Sequence, residues 1–232
     1  AIIILTSGKR SNERGANESM KKIGVVGAGT MGIGVAHNFA QSGYPVVLID
    51  VSKSILDKAS EEIFNNVRFQ QLFMKSETVV KPETVLSRIE FSTDYQLLSE
   101  ANFIIENVTE NWEVKKEVYK RIDSICPDDC IFLVNTSCIS ITKVASITKR
   151  PSQIIGTHFM NPVPMKSAVE VIRGYHTSEP TVEATKELLL TIGKESIVVN
   201  DYPGFVSNRI SHLLMNEAAF VVQDQVAKPQ QV

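Results

Sequence analysis

The sequence predicts an α/β protein, with a doubly wound and mostly parallel sheet followed by the start of a helical C-terminal domain. Three observations predict this fold. Short apolar runs recur along the chain, as expected of parallel strands that are buried on both faces. Stretches with helical spacing separate most of these runs. A glycine-rich segment joins the first apolar run to the first helical stretch.

The apolar runs give the expected strands in chain order. Six strands are expected at 23–26, 46–49, 89–92, 103–107, 131–135 and 154–158. Helical spacing between them predicts helices at 31–42, around 55–67 and at 114–125. After residue 162 the order of elements changes: an apolar run at 169–172 is followed by an expected helix at 181–192 and another apolar run at 196–199.

A turn at 201–204 marks the expected end of the sheet domain, and a helix is expected at 205–226. We therefore divide the chain into a sheet domain at 20–202 and, at 203–232, the first helix of a C-terminal helical domain that is truncated. Residues 1–19 open with five apolar residues, too few for a membrane span or a signal-peptide core, and continue without periodicity. We expect them to be an extension or a remnant of an upstream segment.

Composition and charge exclude several classes of partner. The 232 residues carry a formal net charge of -2, without a long block of one sign. This balance argues against a nucleic-acid or membrane partner. The three cysteines form neither a CxxC pair nor a disulfide-dense pattern. They predict free thiols in a reducing compartment, so we expect a cytoplasmic protein.

The glycine-rich segment has the spacing of a dinucleotide-binding loop, with Gly27, Gly29 and Gly32 in a GxGxxG run. The first glycine permits a tight turn, the second lets the backbone approach a pyrophosphate, and the third lets the helix pack closely on the strand. Thr30 and Met31 lie between them, where the free N–H groups at the start of the helix would bind the pyrophosphate. A Rossmann-type domain is therefore expected.

Asp50 ends the second expected strand, eighteen residues after Gly32. A carboxylate at this position can accept hydrogen bonds from the adenosine ribose and would repel a 2′-phosphate. The sequence therefore predicts NAD rather than NADP as the cofactor, although Lys53 nearby could soften that repulsion. An FAD site has the same glycine fingerprint, and a glycine turn that binds nothing is the other alternative.

Four polar residues fall where the reacting end of such a site would lie, beyond the carboxyl ends of the strands. His158 suits a general base, and Glu170 lies in an apolar run where a buried carboxylate needs a partner. Ser137 and Asn208 could hydrogen-bond a substrate oxygen. Taken singly, His158 would more often be a packing residue, and the serine and asparagine would be caps.

Taken together, these segments resemble the 3-hydroxyacyl-CoA dehydrogenase family of fatty acid metabolism. The matching stretches are 22–34, 103–116, 135–142, 156–172 and 200–208. The resemblance implies oxidation of a 3-hydroxyacyl-CoA with His158 as general base and Glu170 as its partner. It also implies that Ser137 and Asn208 hold the substrate. The cofactor contacts implied by the resemblance are Asp50, Glu110, Lys115, Asn135 and Asn161.

Two departures from the family pattern leave alternatives open. Members of the family continue through a helical C-terminal domain that builds a dimer, so a homodimer is expected only if that domain is present. The truncated end also keeps a non-catalytic NAD(H)-binding module possible. Met160 and the stretch 165–168 differ from the commoner pattern around the acyl site. The alternative substrate is a hydroxyacyl group on an acyl carrier protein, as in polyketide extender-unit synthesis.

Two surface features give further expectations. Arg68 and Lys75 on the second expected helix could meet CoA phosphates, but a solvated basic face is the preferred interpretation. Leu213, Leu214 and Phe220 are expected to be exposed on the terminal helix and so predict self-association.

Overall fold

The computed structural model describes residues 20–73 and 80–232. The predicted extension at 1–19 and the position of Lys75 lie outside the described residues. Arg68 is exposed on its helix, with its guanidinium 5.9 Å from the centroid of the Phe64 ring.

Eight strands form one sheet in the described part of the chain, in the order β3-β2-β1-β4-β5-β6-β7-β8. Every neighbouring pair is parallel except β6 and β7. The strands are β1 Ile23–Val26, β2 Val46–Ile49, β3 Ile89–Ser92, β4 Phe103–Glu106, β5 Ile131–Val134, β6 Ile154–Phe159, β7 Ala168–Arg173 and β8 Glu195–Asn200. The predicted doubly wound, mostly parallel sheet is confirmed.

The helices are α1 Thr30–Gln41, α2 Lys53–Phe73, α3 Pro82–Leu86, α4 Trp112–Ile125, α5 Ile141–Ala145, α6 Glu179–Thr191 and α7 Ser207–Gln223. The five longer helices agree with the sequence expectations to within a few residues at most ends, although α2 extends further at its C-terminal end. The sequence did not predict α3 and α5, because five residues are too few to show a helical period.

Alternate side chains of the strands enter hydrophobic clusters on opposite faces of the sheet, as the geometry of a strand requires. In β1, Ile23 and Val25 join a cluster that α1, α2 and α6 cover. Val26 joins the second cluster, which includes residues of α4 and α5. Because helices cover both faces, the ligand-binding position of the fold is the edge where the parallel strands end.

The last long helix differs from the others because α7 contains no buried residue. Leu213, Leu214 and Phe220 are exposed, as predicted. Self-association stays a prediction, which light scattering would test. Among the described residues, none of the helices has both the length and the apolar character needed to cross a bilayer. Cys126, Cys130 and Cys138 are free thiols, and the first two are buried.

Candidate active site

A cleft of about 420 Å³ lies beyond the carboxyl ends of β1, β4, β5 and β6. This is the edge at which open parallel sheets bind their ligands. Seven residues expected from the sequence line the cleft: Met31, Glu110, Asn135, Ser137, His158, Asn161 and Asn208. The other expected residues are not part of its lining: Gly27, Gly29, Thr30, Gly32, Asp50, Lys115 and Glu170.

His158 and Glu170 are brought together by the antiparallel pairing of β6 and β7, in which they are direct cross-strand partners. Their side chains meet at 2.8 Å between Nδ1 and Oε2, and both are buried. Burial raises the pKa of Glu170, but hydrogen bonds from His158, Ser207 and the amide of Val206 outweigh that effect and lower it. The carboxyl group is therefore ionised at neutral pH.

The other ring nitrogen of His158 faces the cleft. Ser137 lies with its Oγ 3.1 Å from Nε2 of His158, and Asn208 donates from Nδ2 to the carbonyl oxygen of Ser137 at 3.3 Å. The ring of Phe205 packs against His158 with its centroid 5.8 Å away. The structure thus brings all four reacting-end residues expected from the sequence to one place.

The glycine loop fits a dinucleotide. Gly27 has a φ of 97°, which favours glycine, and a Cβ on Gly32 would lie 1.7 Å from the carbonyl oxygen of Gly27. A Cβ on Gly29 would meet nothing within 4 Å, so the backbone there faces open space. Within the part of the chain that the structure describes, no side chain caps the start of α1 at Thr30, so its first N–H groups could bind an anion.

Asp50 ties the end of β2 to the glycine loop. Its Oδ2 accepts a hydrogen bond of 2.6 Å from the amide of Ala28, and its Oδ1 accepts one from the amide of Val51 at 2.6 Å. The carboxylate is half-buried. It is therefore held beside the loop, and its remaining lone pairs could accept hydroxyl groups of a ribose.

Glu110 holds the loop that carries Ser137. Its Oε1 accepts from the Thr136 hydroxyl and from the amides of Ser137 and Cys138, at 3.1 and 3.3 Å for the two amides. Burial raises the pKa of Glu110, but the Thr136 hydroxyl, the charge of Lys115 and further hydrogen bonds lower it overall. A charged carboxylate therefore fixes this wall of the cleft.

Lys115 has no exposed surface, and its ammonium lies behind Glu110 rather than in the cleft. Its Nζ is 2.8 Å from both carboxylate oxygens of Glu106 and 3.8 Å from Oε2 of Glu110. Lys115 was expected to contact the cofactor, but its ammonium instead supports residues that line the cleft: Glu110 and the carbonyl oxygens of Val108 and Asn135. Glu106 was not among the expected site residues. Its position at the end of an apolar run could have indicated a buried carboxylate that needs a partner.

Asn135 joins the ends of three strands. Its Nδ2 donates to Oδ1 of Asn107 at 2.6 Å, and its Oδ1 accepts from the amide of Phe159 at 3.3 Å. Asn161 lies two residues after Phe159 and lines the cleft. Both asparagines are therefore in position to contact a cofactor.

The family model described as 3-hydroxyacyl-CoA dehydrogenase, NAD binding domain, matches residues 22–202. The chain belongs to the 3-hydroxyacyl-CoA dehydrogenase family. Its match to the NAD-binding domain makes it an NAD-dependent oxidoreductase, which agrees with the glycine loop and Asp50. The predicted family, enzyme class and cofactor are confirmed.

Relatives and solved structures agree with this family. The chain is 42% identical over 211 residues to a probable 3-hydroxybutyryl-CoA dehydrogenase of Deinococcus radiodurans, covering 91% of this chain and 75% of the relative. It is 39% identical to the 3-hydroxybutyryl-CoA dehydrogenase of Clostridioides difficile, with the same two coverages. The crystal structure of (S)-3-hydroxybutyryl-CoA dehydrogenase from Ralstonia eutropha superposes with a TM-score of 0.87 and 39% identity, covering 92% of this chain and 75% of that one.

In this member of the 3-hydroxyacyl-CoA dehydrogenase family, sequence reasoning missed the residues that support the reacting groups. The hydroxyl of Ser207 and the amides of Val206 and Ser207 all donate to Glu170. The motif at 203–209 pointed to Asn208 and gave no sign of a contact 37 residues back in the chain. Among the described residues, no cluster of His, Cys, Asp and Glu side chains could hold a metal ion.

Proposed function

We propose that this chain oxidises the 3-hydroxyl group of a 3-hydroxyacyl-CoA to a 3-oxo group with NAD⁺, or runs the reverse reduction, with His158 as general base. One observation carries the proposal. At the cleft, Ser137 Oγ lies 3.1 Å from Nε2 of His158, and Nδ1 of the same ring lies 2.8 Å from Glu170. The names of the relatives, 3-hydroxybutyryl-CoA dehydrogenases, support the substrate class.

The proton path follows from the charge on Glu170. An ionised carboxylate only accepts hydrogen bonds, so Nδ1 of His158 must donate to it. In the neutral ring, Nε2 then carries the lone pair and can take the hydroxyl proton of the substrate. Glu170 stabilises the imidazolium that forms, and it holds the ring in the required orientation. NAD⁺, when bound, accepts the hydride from the substrate carbon.

Ser137 and Asn208 complete the site around the substrate oxygen. The hydroxyl of Ser137 lies within hydrogen-bond distance of Nε2 of His158, so a substrate hydroxyl that replaces it there could give its proton to the same nitrogen. Asn208 donates to the carbonyl oxygen of Ser137, which fixes the loop against the start of α7. Hydrogen-bond donors held in place in this way stabilise the developing charge on a substrate oxygen.

The proposed cofactor site extends from the glycine loop to the cleft. The free N–H groups of the glycine loop at Gly29 and Thr30 would bind the pyrophosphate, and Asp50 would bind the adenosine ribose. Glu110, Asn135 and Asn161 would contact the nicotinamide half, because they line the cleft together with His158.

The test is turnover of acetoacetyl-CoA followed by the loss of NADH absorbance, with NADPH as the cofactor control. The proposal predicts consumption of NADH and little consumption of NADPH. An acetoacetyl group on an acyl carrier protein is assayed beside it, because that carrier presents the same oxo-thioester. Faster turnover of the carrier-protein thioester would favour the alternative substrate, a hydroxyacyl group on an acyl carrier protein. Tight NADH binding without turnover of either thioester would contradict the proposal.

A further inference from the structure

Both oxygens of the Glu170 carboxylate are occupied by the segment that begins α7. Oε1 accepts from the amides of Val206 and Ser207, at 3.1 and 2.9 Å. Oε2 accepts from the hydroxyl of Ser207 at 2.7 Å and from Nδ1 of His158 at 2.8 Å. The oxygen that holds the histidine is therefore shared with a serine hydroxyl from another element.

We propose that Ser207 is a positioning residue for the reaction, which holds the carboxylate of Glu170 in the orientation that His158 requires. The inference rests on the proposed function, because it assumes that His158 moves the proton. Ser207 is not part of the cleft lining, and its hydroxyl bonds to Glu170 rather than to a reacting atom.

The geometry favours this role over a simple helix cap. The terminal torsion of a glutamate side chain is broad, so the plane of the Glu170 carboxylate is set by its hydrogen bonds. The two backbone amides act on Oε1 alone, and Ser207 is the side chain that fixes Oε2 beside His158. A hydrogen bond to an ionised group is about twice as strong as one between neutral groups.

Ser207 also couples the dyad to Asn208, its neighbour in the chain. No residue of α7 is buried, so the packing of its own face does not fix the start of the helix. Phe205, just before α7, is buried and has a backbone φ of 48°. Its ring packs on His158 and holds this segment. The contact between Ser207 and Glu170 thus sets the position of Asn208 relative to Ser137 as well.

Removal of the hydroxyl has two expected effects. Ser207→Ala should lower kcat by roughly tenfold, because the carboxylate loses a charge-assisted hydrogen bond that orients it. The Ser207 hydroxyl is also among the groups that lower the pKa of Glu170. Without it, the negative charge on the carboxylate is less dispersed and stabilises the protonated dyad, so the acidic limb of the oxidation profile should move to higher pH.

The experiment compares the parent protein with three serine variants and with His158→Ala in the NAD⁺-dependent oxidation of 3-hydroxybutyryl-CoA across pH. Ser207→Ala is the test, and Ser207→Thr restores a hydroxyl at the same place. Ser211→Ala is the matched control, because Ser211 lies about one turn later in α7 and its hydroxyl bonds to the carbonyl oxygen of Asn208. The affinity for NADH and the melting temperature are measured for each variant.

The proposal expects Ser207→Ala alone to lose at least about threefold in kcat and to shift the acidic limb, with NADH affinity unchanged and recovery in Ser207→Thr. A Ser207→Ala profile that coincides with that of Ser211→Ala overturns it. His158→Ala in the same series separates the positioning role of Ser207 from the proposed function itself. If His158→Ala is inactive and Ser207→Ala is normal, only the role of Ser207 falls. If His158→Ala keeps its rate, the proposed function falls.

Discussion

His158 and Glu170 stand directly opposite each other across the antiparallel pair β6 and β7, with Nδ1 of the ring 2.8 Å from Oε2 of the carboxylate. This pair of strands interrupts a sheet whose other neighbours are all parallel among the described residues. Directly paired residues of antiparallel strands have their side chains on the same face of the sheet. The reversal of β7 therefore delivers a carboxylate to a histidine that lies only twelve residues earlier.

Glu170→Gln should reduce kcat by about a hundredfold. The glutamine side chain lacks the charge that stabilises the imidazolium. Its NH₂ group would also face one of the donors that bond to the carboxylate in the parent protein. The affinity for NADH should be unchanged. Steady-state kinetics with acetoacetyl-CoA check this expectation against Glu187→Gln, an exposed glutamate on α6. A Glu170→Gln rate within twofold of that control would show that the carboxylate is not needed.

The sequence predicted the presence of both dyad residues but not how they meet. The apolar run at 169–172 indicated a strand with a glutamate inside it, and the resemblance to the family paired that glutamate with His158. A single sequence carries no signal for the direction of β7, because the side-chain period is the same in parallel and antiparallel strands. The 2.8 Å contact between His158 and Glu170 therefore could not be predicted from the strand pattern alone.

Asp50→Asn should weaken NADH binding by about tenfold and reduce the preference for NADH over NADPH. The amide keeps an oxygen for the backbone N–H of Ala28 but turns its NH₂ group toward the N–H of Val51, and it would be a weaker acceptor for ribose hydroxyls and would no longer repel a 2′-phosphate. Fluorescence titrations with both dinucleotides measure the two affinities. Asp57→Asn, an exposed change on α2, is the control. An unchanged ratio of the two affinities would remove Asp50 from the cofactor site.

Lys115→Met should destabilise the fold strongly, because it leaves the carboxylate of Glu106 buried without its cation. Breaking one partner of a buried ion pair costs about 3–5 kcal/mol. Burial already raises the pKa of Glu106, and Lys115 opposes that rise. Adding Glu106→Leu to the same protein should recover part of the loss, since the buried carboxylate is then gone and only the half-buried Glu110 still lacks the cation.

Urea unfolding of the two single variants and the double variant measures the coupling of this pair. Lys120→Met on the same helix is the control, because its partner Glu117 is on the surface, and such pairs contribute less than about 1 kcal/mol. Equal losses for Lys115→Met and Lys120→Met would contradict the buried pair.

His37 should make the protein less stable as the pH falls. The ring of His37 is fully buried in α1. Burial lowers the pKa of His37 from 6.5 to about 4, and the side chain of Gln41 opposes this shift only in part. Between these values the unfolded chain binds a proton that the folded protein excludes. The free energy of unfolding should therefore fall by up to about 1.4 kcal/mol per pH unit below 6.5, and this contribution should level off near pH 4.

His37→Leu tests this dependence, because leucine fills a buried apolar site and does not titrate. The stability advantage of the variant over the parent protein should grow steadily from pH 7 to pH 4. His212→Leu, at an exposed position on α7, should give no such trend. Parallel stability curves for the parent and His37→Leu would show that the ring does not control this loss.

The buried residues that support the cleft, Lys115 and Glu106, show why part of the site could not be predicted from the sequence. The glycine loop, Asp50 and His158 were predictable because motif spacing and strand ends locate them. Lys115 was predicted to contact the cofactor, but it is fully buried against Glu106, whereas a lysine near the start of a helix is usually solvated. Burial depends on packing between distant segments, and local sequence does not encode it.

The most direct test of the account is the rate of NADH consumption by His158→Ala with acetoacetyl-CoA, measured beside the parent protein at saturating substrate. A positioned acid–base group contributes about 10²- to 10⁴-fold, so the account predicts a fall in kcat well beyond tenfold while NADH still binds with its normal affinity. An unchanged kcat would contradict the assignment of proton transfer to His158 and, with it, the role of the pair that it forms with Glu170.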